Sequence, residues 1–167
     1  FYVDNNIEEE IERNQFDQIK RKGGLAYVAA MGMTNLRRVG ILEGGTSNNK
    51  ISKSNSEIYF QFGNENNDAF LKNKEWFSGA QSPEEFEIRE LKSIKNGRKR
   101  EAKLAVAGVG AAFGAYKRDK RFEFEFENLG NNRYRIILNK NIPNGEYMIS
   151  YKSDDDFLSI WDFTVVD

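Results

Sequence analysis

Two residue types are missing altogether from this 167-residue chain: it has no cysteine and no histidine. Without cysteine there are no disulfides, no thiolate nucleophile and no Cys-ligated zinc. Without imidazole there is no Ser-His-Asp triad, no His-held metal, and no general base whose ordinary pKa lies near neutrality. An enzyme built on this chain would have to work with carboxylates alone, and nothing among the 26 acidic residues singles out a pair. The sequence therefore gives no catalytic residue, no cofactor and no metal site, and the chain reads as a non-enzyme. Long hydrophobic runs are scarce too. The stretch Leu25 to Met33 is far shorter than the roughly 20 apolar residues a membrane helix needs, so no transmembrane span is expected. A formal net charge of −1 supplies no overall field that would draw in nucleic acid, and no specific nucleic-acid partner is expected.

What is present is ordinary globular material: 39% hydrophobic and 31% charged residues, with 13 Phe and 7 Tyr to fill an interior. The length suits one core plus an appendage. Near the start, Ile7, Ile11, Phe16 and Ile19 recur at roughly helical spacing among Glu8, Glu9, Glu10 and Glu12, which predicts a short helical segment ended by Gly23 and Gly24. Residues 1–34 are taken as this N-terminal helical or irregular segment, with Leu25–Met33 as a second apolar run of either type. From residue 35 to 167 the texture changes. Strand candidates arrive at short intervals: Arg37–Leu42, Glu57–Phe62, Phe86–Ile94, Arg98–Val106, Arg121–Glu127, Arg133–Leu138, Glu146–Tyr151 and Leu158–Val165. Polar connectors separate them, notably Glu43–Ser56 and Gly63–Pro83, and no internal repeat is visible. The fold class expected is mainly β, an immunoglobulin-like antiparallel β-sandwich of about seven or eight strands.

Three turns allow sharper statements. Asn96-Gly97 is a strong hairpin signal because both residues tolerate positive φ, and a two-residue loop there sets Lys92 opposite Glu101 and Glu90 opposite Lys103. In the next hairpin Phe122, Phe124 and Phe126 alternate with Glu123, Glu125 and Glu127, and the return strand repeats this with Tyr134, Ile136 and Leu138 against Arg133 and Arg135. Facing Glu with Arg demands an odd loop, most simply Leu129-Gly130-Asn131. Last, Pro143-Asn144-Gly145-Glu146-Tyr147 resembles the tyrosine corner of immunoglobulin-like sandwiches, whose hydroxyl bonds to the chain just upstream.

Several of these segments together resemble a known group. Glu43-Gly44-Gly45, Glu57-Ile58-Tyr59-Phe60-Gln61-Phe62, Trp76-Phe77-Ser78-Gly79-Ala80, Ser82-Pro83-Glu84-Glu85-Phe86, Ala112-Phe113-Gly114, Pro143-x-Gly145-Glu146-Tyr147 and Asp162-Phe163 stand in an order similar to that of an uncharacterised family of secreted or cell-envelope proteins of Bacteroidota. The resemblance covers Leu25 to the end and implies a β-rich body and export, to periplasm, outer membrane or exterior; it implies no activity. A chain starting at Phe1 without Met is compatible with a signal peptide already removed. The Gly-Glu-Tyr ending also resembles the small β-sandwich sorting domains of type IX secretion, but no Lys-rich terminal motif follows it here.

Four further features were weighed for chemistry. Gly108-Val109-Gly110-Ala111-Ala112-Phe113-Gly114 follows a strand, yet its spacing departs from the dinucleotide fingerprint and no βαβ unit frames it, so a small-residue loop explains it better. Asp154-Asp155-Asp156 offers oxygen ligands for calcium without the spaced pattern of a known loop, and a hydrophilic turn is sufficient. Trp76 and Phe77 fit either an exposed anchor for a partner or a lid on the sandwich. Lys95, Arg98, Lys99 and Arg100 at the hairpin, with Lys92 before them and Lys117, Arg118, Lys120 and Arg121 after the Gly-rich loop, would make one basic patch if the two loops meet. A solvated edge that discourages aggregation is the plainer account. The function expected is a non-catalytic structural or protein-binding module of the bacterial envelope, probing a protein partner as one subunit of a larger assembly. The alternative is a carbohydrate or anionic-polymer binding module working through Trp76, Phe77 and the basic hairpin.

Overall fold

The architecture is seen in a computed structural model that describes residues 2–4, 7–11, 13–22, 36–53, 57–62, 82–107, 121–138, 142–152 and 159–167. Among the described residues thirteen strands account for nearly all of the regular structure: β1 (Tyr2–Asp4), β2 (Ile7–Glu9), β3 (Gln18–Lys22), β4 (Leu36–Glu43), β5 (Lys50–Ser52), β6 (Glu57–Gln61), β7 (Phe86–Ile94), β8 (Lys99–Ala107), β9 (Arg121–Phe122), β10 (Phe124–Gly130), β11 (Arg133–Leu138), β12 (Gly145–Tyr151) and β13 (Ile160–Val166). They form a five-stranded sheet in the order β10-β11-β6-β1-β2 and an eight-stranded path in the order β3-β4-β8-β7-β12-β13-β5, with β9 beside β7. All described pairings are antiparallel except β13 with β5. The protein is thus mainly β. A single 3₁₀ turn, Pro83–Glu85, leads into β7, and the Ser82 side chain accepts from Glu84 N–H while Glu85 reaches back to Ser82 N–H.

The helical N-terminal segment is the clearest correction. Residues 2–4 and 7–9 form a β-hairpin on the edge of β6, and residues 18–22 pair with β4 over five residues. The spacing of Ile7, Ile11, Phe16 and Ile19 is not that of one helix face. Ile11 is buried in the main core, Phe16 packs on Gly40 in a second cluster, and Ile19 faces solvent. Available sheet edges override a weak helical periodicity, as local propensity yields to tertiary pairing. Segment 1–34 is consequently built into both sheets wherever it is described, while Leu25–Met33 lies outside the described residues.

Both hairpins keep the expected parity, the second by a different route. In the first, Lys92 does sit opposite Glu101, and Asn96 and Gly97 both adopt positive φ. The ladder stops there, however, and Glu90 is not paired with Lys103, because β8 leaves β7 and β9 takes up the vacated edge at Ile88 and Arg89. In the second, Glu127 faces Arg135 and Phe126 faces Ile136, so carboxylate meets guanidinium as expected. The expected loop Leu129-Gly130-Asn131 is not the turn: Asn131 and Asn132 form it, both left-handed, and the odd residue is a bulge between Asn128 and Gly130, where Gly130 has φ 83°. The single expected strand Arg121–Glu127 also divides at Glu123, with β9 in one sheet and β10 in the other.

The interior explains why β12, β13 and the first half of β7 are almost continuously buried. On one face, Phe86, Ile88, Tyr147, Ile149, Phe163 and Val165 pack against Ile58 and Ile136 of the five-stranded sheet, with Phe60, Phe124 and Phe126 filling in. Phe60 and Phe86 meet edge to face across the sheets at 5.2 Å. On the opposite face, Leu91, Met148 and Ile160 pack with Leu42, Ala102 and Leu104. Arg100 belongs to β8, three strands from β13 in hydrogen-bonded order, a span of about 14 Å in a flat sheet, yet its Nη1 reaches Asp162 of β13 at 2.6 Å. That contact requires the β3-β4-β8 wing to fold back over β7-β12-β13. β12, β13 and Phe86–Arg89 of β7 are covered on both sides, and each fully buried Ile or Phe contributes roughly 1.5–3 kcal/mol.

Candidate functional site

The densest chemistry lies in the layer between that wing and the central strands. Alternation puts Glu87, Arg89 and Leu91 of β7, Glu146, Met148 and Ser150 of β12, and Ile160, Asp162 and Thr164 of β13 on the covered face. Arg100 enters from β8 and is 4% exposed, as is Asp162. Its Nη1 donates to Asp162 Oδ2 at 2.6 Å and to Glu146 Oε2 at 3.3 Å, and its Nε to Gly44 O at 3.3 Å. The acids are satisfied elsewhere as well: Ser47 N donates to Glu146 Oε2 at 2.9 Å, Thr164 Oγ1 to Glu146 Oε1 at 2.8 Å, and Asn14 Nδ2 to Asp162 Oδ1 at 3.1 Å. Ser47 Oγ and Asn49 Nδ2 each donate to the Asp162 carbonyl at 2.9 Å. One network therefore ties together β8, β12, β13, the β4–β5 connector and the segment around Asn14.

A second group sits beside it. Arg89, almost wholly enclosed, donates through Nε to Glu87 Oε1 at 2.6 Å, and Arg121 Nε lies 2.7 Å from Glu87 Oε2. Glu87, Glu146 and Asp162 are thereby matched by Arg89, Arg100 and Arg121. Burial by itself would raise the Asp162 pKa, but hydrogen bonds from Arg100, Asn14 and Ser47 and the Arg100 charge outweigh it and hold this carboxyl below its usual range. An acid kept ionised inside a sealed layer is poorly suited to proton transfer and well suited to locking layers together.

The hairpin patch does not form as the sequence had it. Arg100 is inside, not at the surface, because residue 100 alternates onto the covered face of β8. Lys99 pairs with Glu43, while Arg98 Nε donates to Lys95 O at 3.2 Å and both of those residues are exposed. Of the four hairpin cations, Lys95 and Arg98 alone stay clear of ion pairs among the described residues. Trp76, Phe77, Lys117, Arg118, Lys120, the 108–114 loop and Asp154–Asp156 lie outside the described residues.

The outer face of the five-stranded sheet carries an ionic ladder in which Arg135 pairs with both Glu127 and Glu57, and the Arg133 guanidinium lies 4.6 Å over the Tyr59 ring. A cleft of about 330 Å³ opens where β5 and β13 approach β6 and β11, lined by Ile51, Ile58, Ile136, Ile142 and Val165 with Lys53 and Arg135 alongside. Its walls are mainly hydrocarbon with Ser52 and Glu57 among them, and its cations are engaged by Asp167 and by Glu57. No helix among the described residues is long and apolar enough to cross a membrane.

The tyrosine corner is realised. Tyr147 is 1% exposed, its hydroxyl donates to Pro143 O at 2.8 Å, and its ring stacks on Phe163 at 5.7 Å. Burial, with the nearby Glu90 charge, pushes its pKa up to about 12. No protein-family model matches this chain, and neither curated proteins nor solved structures offer a significant match.

Sequence reasoning missed the buried network. Its residues do leave a trace, since Glu146-x-Met148-x-Ser150 and Ile160-x-Asp162-x-Thr164 put polar side chains on strands whose other face is wholly apolar. Such a pattern normally reads as solvent-facing. What hides the truth is the folded-back wing, which no local spacing announces.

Proposed function

We propose that this chain is a non-catalytic structural or protein-binding module, an immunoglobulin-like sandwich that serves as a subunit of a larger assembly in a bacterial envelope. The observation that carries this reading is the buried layer in which Arg100 holds Asp162 and Glu146 together. Acids that might have served proton transfer are invested in rigid registration between strands distant in sequence, which is what a load-transmitting or docking scaffold needs. The immunoglobulin-like assignment is supported by the Tyr147 corner, with the third layer of β3, β4 and β8 as an addition to it. The proposal of export rests on the resemblance to envelope proteins.

Co-purification from native membranes of the source organism, followed by mass spectrometry, tests the reading. A stoichiometric protein complex is expected; a chain recovered alone, with glycan-affinity gels showing retardation, would replace it by the polymer-binding alternative. That alternative retains Lys95 and Arg98 as its described contacts, since Arg100 is enclosed and Lys99 is engaged.

A further inference from the structure

The two sheets end in strands of opposite charge. β3 terminates the eight-stranded path with β4 as its single neighbour among the described residues, and its Lys20, Arg21 and Lys22 are all exposed. β10 terminates the five-stranded sheet with β11 as its single described neighbour, and Glu125 and Glu127 on it, with Glu123 just ahead, are exposed. A row of like charges protects an edge against pairing with its own kind. It offers no such protection against an edge of the other sign.

Apolar exposure falls at the same two places. The exposed large hydrophobics among the described residues are Ile19 at 43%, Leu129 at 46% and Ile137 at 44%. Ile19 lies on β3, Leu129 on β10, and Ile137 on β11 directly opposite Glu125. Single exposed aliphatics need no explanation, but here two lie on the oppositely charged edge strands themselves and the third one strand in from the acidic edge. The other acidic edge, β2, has three residues and is the shorter platform.

We propose that β3 of one copy adds as a strand to the β10 edge of a second copy, joining the eight-stranded sheet of one to the five-stranded sheet of the next. The inference rests on reading the chain as an assembly subunit and names its partner as the chain itself. Main-chain hydrogen bonds along the edge supply the contact, while the opposite charges of the two strands set the pairing of unlike edges. Since Lys22 already meets Glu101 and Glu127 meets Arg135, the charges left to drive encounter are Lys20 and Arg21 against Glu123 and Glu125. The two patches differ, so the association is head to tail and propagates into rings or filaments. A five-residue edge is smaller than a standard interface, which makes each contact weak and sensitive to ionic strength.

Sedimentation velocity on the full chain, from micromolar to near-millimolar concentration, tests this. The expected result is mass that rises with concentration and falls on adding salt. Lys20→Glu/Arg21→Glu and Glu123→Lys/Glu125→Lys should each weaken self-association by at least about tenfold, because each makes the two edges alike in sign. An equal mixture of the two variants should restore assembly, since each then presents the edge its neighbour needs; that restoration also proves both variants folded. A wild-type chain that stays monomeric, or variants that assemble as the wild type does, would overturn the proposal. So would a mixture that fails to assemble although both variants keep the wild-type circular dichroism. A monomeric chain that still leaves native membranes bound to other proteins overturns the self-pairing while the broader assembly reading stands.

Discussion

Arg100 offers the most exacting test of how this fold is held. Replacing it with Met keeps most of the side-chain volume but strands Asp162 and Glu146, both nearly sealed from water, without their shared cation. Removing one partner of a buried ion pair costs about 3–5 kcal/mol, against a total stability of about 5–15 kcal/mol for a domain. The lost contact to Gly44 O adds to this. Urea unfolding followed by far-UV circular dichroism at neutral pH should therefore show the midpoint falling steeply at an unchanged slope. The pH dependence carries a second signature. In the wild type the Asp162 pKa is depressed, so its contribution is complete above the unfolded pKa and lost as pH falls through the folded one. In Arg100→Met the burial penalty is opposed by the Asn14 and Ser47 bonds without the guanidinium, and the folded pKa should rise. The deficit of the variant should accordingly shrink as pH drops through the carboxylate range. A loss below about 1 kcal/mol, or a deficit independent of pH, would refute the idea that this network pins the layers together.

Tyr147→Phe removes the corner hydrogen bond to Pro143 O and should cost about 0.5–1.5 kcal/mol by urea titration. Because the folded Tyr147 keeps its proton up to a pKa of about 12, the wild type should lose stability as pH rises from the ordinary tyrosine range toward that value, a decline the Phe variant lacks. Gly40→Ala would place its Cβ 2.6 Å from three atoms of the Phe16 ring, and a loss of about 1–3 kcal/mol is expected, partly relieved when Phe16 is also shortened to Leu. A Gly40→Ala variant as stable as wild type would show that the Phe16 segment does not dock as described. Ser150 Oγ is fully buried with no hydrogen-bond partner among the described residues, so Ser150→Ala should be neutral or stabilising by about 1 kcal/mol in thermal melts. A clear loss there would mean that the hydroxyl has a partner in solution.

Much of the β architecture was legible because it rests on period-two alternation, which is local. Phe122, Phe124 and Phe126 face the interior and Glu123, Glu125 and Glu127 the solvent, as their spacing demands. The bounds of β7 and β11 coincide with the strands read from the sequence, since turn residues flank each. The bulge at Leu129 escaped notice because three-residue loops and bulged two-residue turns satisfy the same parity. Only backbone geometry at Asn131 and Asn132 distinguishes them. The parallel strand β5, inside what reads as a polar connector, escaped for a related reason. Its three residues are ordered by β13, more than a hundred positions away.

By itself the sequence determined which chemistries are closed to this protein, where most strands run, which side of the Phe/Glu strand is dry, and that Tyr147 would turn a corner. These are consequences of residue type and of spacing between near neighbours. The tertiary structure alone decided that residues 2–4, 7–9 and 18–22 join the sheets, that the β3-β4-β8 wing folds over the central strands, and that Arg100 goes inside while Lys20 and Arg21 stay out. Those outcomes depend on which edges and faces are left open once all the other strands have paired, and that is a property of the whole chain.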